Sequence, residues 1–151
     1  MASGFITLPD GKNWAVRWSG YDWVLEIIMA ELSVEGEEGI LKKWIEYILP
    51  NEDKGDIESG YCFYKKIGEN QSGFESILRV IDTRLMKSKF QIIFWNTVKK
   101  VSQRLSKETN IGVLMNQLND CYELSLKAVA KEPEDMGLKE IFFLNGFELA
   151  D

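Results

Sequence analysis

The chain contains no histidine. That absence removes the side chain whose charge changes nearest neutral pH, and with it the Ser-His-Asp and Cys-His routes to an activated nucleophile. It also removes the commonest zinc ligand. Cysteine is scarce: Cys62 and Cys121 stand far apart with no CxxC or CxxH spacing, which excludes an all-thiolate metal site and a disulfide-built scaffold. Both are expected to be buried free thiols. Neither GxxxxGK[ST] nor GxGxxG occurs, so no glycine-rich cradle for phosphates is indicated. The apolar runs are only a few residues long, far below the roughly 20 that a membrane span needs. Met1 to Lys12 shows no basic stretch followed by an apolar run, so a cytoplasmic, reduced protein is expected.

What is present suits one folded domain, 1–151. The apolar fraction of 45% and aromatic fraction of 12% supply material for a core and lie far from the composition of disordered chains. Phe5-Ile6-Thr7-Leu8 and Trp14-Ala15-Val16-Arg17-Trp18 flank Pro9-Asp10-Gly11, a hairpin pattern in which Gly11 tolerates the positive φ of the turn. Ser19 with Asp22 reads as a capping box for a first helix bearing Tyr21, Val24, Leu25, Ile28 and Leu32. Trp23 and Ile27 add apolar surface on a second flank, which predicts that this helix is covered on more than one side.

A second helix is predicted from about Glu37 to Leu49, with Ile40, Leu41, Trp44, Ile45 and Ile48 on one face and Pro50 ending it. Tyr61-Cys62-Phe63-Tyr64 is strand or helix. A capping box at Ser72 and Glu75 opens a predicted third helix with the stripe Phe74, Ile77, Leu78, Ile81 and Leu85. Helical spacing resumes with Phe90, Phe94, Val98, Val101 and Leu105, and again from an Asn110 cap through Ile111, Leu114, Met115, Leu118, Tyr122 and Val129. Asn145-Gly146 marks either a C-terminal hairpin or the end of a short helix. The predicted fold is therefore mainly α, about five helices with a small N-terminal β-hairpin and an ambiguous tail.

Carboxylates are the remaining source of chemistry. Two acids about 5 to 10 Å apart can hydrolyse a glycosidic bond if burial raises one pKa. Most acids here sit in runs such as Glu37-Glu38 and Glu52-Asp53, the pattern of a solvated face. Asp82, between Arg79 and Arg84, reads as one side of a surface ion pair. Residues 51–58 lack the alternating ligand spacing of a calcium loop, so neither metal nor cofactor is expected.

Charge is distributed in blocks. Residues 31–58 hold nine acids and three bases, residues 59–131 six acids and twelve bases, and residues 132–151 six acids and one base. Either the blocks pack together into a mixed surface, or acidic surface is left over and steers a basic protein partner. In the second case the partner-binding residues are Glu37, Glu38, Glu52, Asp53, Asp56 and Glu58. Trp44 and Tyr47, or Tyr61 and Tyr64, are then candidate aromatic anchors, although Trp44 lies on the buried stripe. A net charge of -6 argues against nucleic acid as the partner.

The profile resembles the small acidic immunity proteins that bacteria make against toxins of contact-dependent growth inhibition. The resemblance is carried by length, acidity and the absence of catalytic and export motifs, and it gives no residue a role. It implies a non-enzymatic cytoplasmic domain that neutralises a basic, nuclease-like toxin domain by tight binding. The alternatives are a carboxylate hydrolase and a helical domain enclosing an apolar ligand.

Overall fold

The computed structural model describes residues 3–49, 62–66 and 74–127. The expected hairpin is formed by β1 (Ser3–Thr7) and β2 (Asn13–Arg17), antiparallel, with Ser3 opposite Arg17 and Thr7 opposite Asn13. Its turn is closed by the Leu8 N–H donating to the Lys12 carbonyl at 2.8 Å and the Gly11 N–H donating to the Leu8 carbonyl at 2.9 Å. Gly11 has φ 91°, the left-handed region that suits glycine. The Asp10 carboxylate accepts from the Lys12 N–H at 2.9 Å and fixes the loop.

Two further strands join the hairpin. β3 (Cys62–Lys66) settles the strand-or-helix choice at Cys62-Phe63-Tyr64 in favour of strand, and β4 (Phe74–Asp82) lies where the third helix is predicted. The sheet order is β2-β1-β4-β3, with β1 parallel to β4 and β3 antiparallel to it. The helical reading of Phe74, Ile77, Leu78 and Ile81 fails for a physical reason. Ile77, Leu78, Val80 and Ile81 form a nearly unbroken apolar run, which fits a central strand as well as one helix face. Pairing on both edges satisfies the backbone of β4, and its β-branched residues favour the extended state. Leu85 falls in a 3-10 turn, Thr83–Leu85.

Four α-helices stand among the described residues: α1 (Trp18–Glu31), α2 (Gly36–Ile48), α3 (Ser88–Arg104) and α4 (Asn110–Ser125). The domain is mainly helical with a small N-terminal hairpin. The Ser19–Asp22 capping box does not open α1. The helix begins at Trp18, directly off β2, with Arg17 as a cap residue that makes no side-chain capping bond. Gly4 explains the abrupt start: a Cβ there would lie 2.4 Å from Cγ of Tyr21, so the backbone of β1 rests on the first turns of α1. Thr109, not Asn110, caps α4, its hydroxyl accepting from the Gly112 N–H at 3.1 Å.

The core lies between these helices and one side of the sheet. Val24, Leu25 and Ile28 of α1, Leu41, Trp44 and Ile45 of α2, and Phe94, Val98 and Val101 of α3 meet Ile6 and Ile81 of the strands. Each such side chain contributes about 1.5 to 3 kcal/mol by leaving water. The α3–α4 contact is reinforced by Trp95 stacked on Tyr122, centroids 4.3 Å apart and planes at 12°. The predicted elements at residues 50–61 and 128–151, including both tail alternatives, lie outside the described residues.

Candidate partner-binding face

The last carbonyls of α1 are only partly satisfied by the backbone, the Leu32 N–H donating to the Met29 carbonyl at 3.2 Å. Lys42 of α2 adds to this. Its Nζ donates to the carbonyls of Met29 at 2.9 Å and Leu32 at 3.2 Å, placing a cation at the negative end of α1. In return, Glu38 Oε1 accepts from the Ser33 N–H and Ser33 Oγ accepts from the Glu35 N–H, both at 3.2 Å. The α1–α2 corner is thus held by reciprocal bonds, with Glu37 and Glu38 in the first turn of α2 where a helix favours negative charge.

Of the acids expected to bind a partner, Glu37 and Glu38 are placed at this corner and both are exposed. Glu52, Asp53, Asp56 and Glu58 lie outside the described residues. The central basic helix partly neutralises the acidic block. Lys89 of α3 pairs with Glu37 at 3.3 Å, each side chain about half exposed. Glu31 takes Lys100 at 3.3 Å and also Arg104, both from α3. Burial pushes the Glu31 carboxyl up, but the hydrogen bonds from Arg104 and Lys100 outweigh it and leave the pKa below the ordinary carboxylate value. Glu35, Glu38 and Glu46 are exposed and make no ion pair among the described residues. An open groove of about 190 Å³ lies beside the corner, lined by Glu31, Glu38, Ile93, Asn96, Thr97 and Lys100. Part of the acidic block is thus paired with α3 and part of it is left exposed.

A second polar group lies at the end of the sheet. Asp82 is 3% exposed, so its pair with Arg84 is buried and not on the surface as the sequence suggests. Asp82 Oδ1 accepts from the Arg84 N–H and Nε–H, and Oδ2 from an Arg84 terminal N–H, each at 3.0 Å. Thr83 donates its hydroxyl to the Thr7 carbonyl at 2.8 Å, binding this turn to β1. Asp10 is also buried. Asp82 is therefore committed to its arginine and Asp10 to its loop. These bonds fix the turn after β4 and the hairpin loop.

Trp44 is 2% exposed and belongs to the core, as its stripe implies. The side chains of Tyr47, Tyr61 and Tyr64 lie outside the described set. Trp23 departs from expectation, its indole being 42% exposed, while Ile27 on the same flank is partly buried against the core. Sequence reasoning also missed Lys42, whose only signal is a cation on the flank of α2 that turns back towards α1. Cys121 is a free thiol, half-buried where full burial is expected. Burial, then Asp120 and Asp10, raise its pKa. Among the described residues no three potential ligands cluster for a metal, and no helix is long and apolar enough to cross a membrane. Comparison with protein-family models, curated proteins and solved structures finds no match.

Proposed function

We propose that this protein is a non-catalytic binding protein that neutralises a basic, nuclease-like toxin domain in the cytoplasm, in the manner of an immunity protein. The observation that carries the reading is the α1–α2 corner. Glu35 and Glu38 stand exposed on a turn whose backbone is fixed by side-chain hydrogen bonds, so negative charge is displayed from a rigid support. Glu37 adjoins them, and Glu52, Asp53, Asp56 and Glu58 follow α2 in the chain. Opposite fields of this kind raise association rates by about 10 to 1000-fold and are screened by salt.

The test is co-expression with the polypeptide encoded by the gene immediately upstream, followed by affinity measurement at about 50 and 300 mM salt, where the screening length shortens roughly 2.5-fold. A basic toxin domain that binds at least about tenfold more weakly at the higher salt, and more slowly to a Glu35→Gln/Glu38→Gln variant, supports the reading. Binding indifferent both to salt and to these carboxylates rejects it.

A further inference from the structure

Helix α1 carries three acids, Asp22, Glu26 and Glu31, and neither lysine nor arginine. Its inward stripe of Tyr21, Val24, Leu25 and Ile28 is fully buried. Its outward stripe holds Trp23 at 42% exposure, with Glu26 and Ala30 exposed beyond it and Ile27 half-buried beside it. An indole is a costly side chain to leave in water, since it carries one of the largest apolar surfaces of any residue. It is also the best aromatic acceptor for a cation and a residue type enriched at the energetic centres of interfaces. Glu26 lies three residues from Trp23, hence on the same helical face.

We infer that the outward face of α1 is a docking surface for an arginine-bearing segment of a basic protein, with Trp23 as the stacking platform and Glu26 as the carboxylate beside it. Charge complementarity selects the occupant, because Glu26 stands exposed beside the indole on a helix that itself carries no lysine or arginine, while Glu31 at its far end is already held by Lys100 and Arg104. Arginine is favoured over lysine since its planar group stacks on an indole while its edge N–H groups reach a carboxylate. From Trp23 the helix runs about 12 Å to its end at Glu31, at 1.5 Å per residue, where the acidic corner begins. Val34 is 73% exposed there. Both surfaces then fall within one interface of ordinary size, roughly 800 Å² per partner.

This inference rests on the proposed basic partner and deepens that reading, so the test separates the two. Fluorescence anisotropy is measured with labelled peptides of about ten arginines or ten lysines, on the full chain and on Trp23→Ala, Trp23→Leu and Glu35→Gln/Glu38→Gln variants. Melting temperature serves as the control for folding. The full chain is expected to bind the arginine peptide about fivefold more tightly than the lysine peptide, the scale of one cation–π contact. Both Trp23 variants lose that preference while binding of the lysine peptide stays within about twofold, and the corner variant weakens both peptides alike. An arginine preference that survives in Trp23→Leu overturns the inference, as does failure of the full chain to bind either peptide. If that preference survives but the corner variant still weakens binding, the α1 surface falls and the acidic corner stands. A lost preference with an inert corner variant supports the α1 surface and removes the corner.

Discussion

Two regions in which the described residues pair opposite charges differ in what the pairing does. At the end of the sheet, Asp82 is 3% exposed and accepts three hydrogen bonds from a single arginine two residues away. At the α1–α2 corner, α3 reaches across with Lys89, Lys100 and Arg104 to carboxylates that water also touches. The buried pair holds a turn in one geometry and leaves nothing for a partner. The exposed pairs hold little and can exchange with an incoming cation. Burial, and not the number of ion pairs, separates the structural end of the molecule from the face it can offer.

The largest expected effect breaks the buried pair. Asp82→Ala leaves the Arg84 guanidinium, whose side chain is 14% exposed, without its carboxylate. Denaturant unfolding should show a loss of about 3 kcal/mol. An Asp82→Ala/Arg84→Met double variant should recover much of it, because replacing both charges by apolar groups removes the stranded cation.

Glu31 stands between the extremes. Its folded pKa is depressed, so its contribution to stability is present above the unfolded carboxylate value and is lost as pH falls through the folded one. Thermal melts between about pH 6 and pH 3 should therefore fall less steeply for Glu31→Gln than for the unaltered chain. A carboxyl titration by NMR should place the Glu31 midpoint below the ordinary carboxylate value. The smallest effect belongs to Lys89 and Glu37. Lys89→Ala should change stability by less than about 0.5 kcal/mol, and added salt should erase the difference. A larger loss would mean that this exposed pair does structural work after all.

Much of the helical architecture is legible in the residues themselves. The stripes of α3 and α4 largely mark buried faces, as do Leu41, Trp44 and Ile45 of α2, whereas Ile40 of the same stripe is 38% exposed; Pro9-Asp10-Gly11 marks the hairpin. β4 is the instructive failure, because Ile77, Leu78 and Ile81 satisfy helical spacing while the same run suits a strand paired on both sides. Only β1, some seventy residues earlier, supplies the parallel neighbour that decides the matter, and no local window contains it. The site divides in the same way. Glu37 and Glu38 are found where charge patterning places them, at an exposed helix start. The pairing of Glu37 with Lys89 of α3 and the openness of Trp23 depend on which helix lies beside which, information that a stripe on one helix does not hold.

The direct passage from Arg17 into Trp18 has a mechanical consequence. With no linker between β2 and α1, and with Gly4 seated on Tyr21, strand and helix form one stiff lever. A molecule grasping the outer side of that helix would pull against the whole sheet and not against a loosely hinged rod. The surface it meets is already set in shape before the encounter.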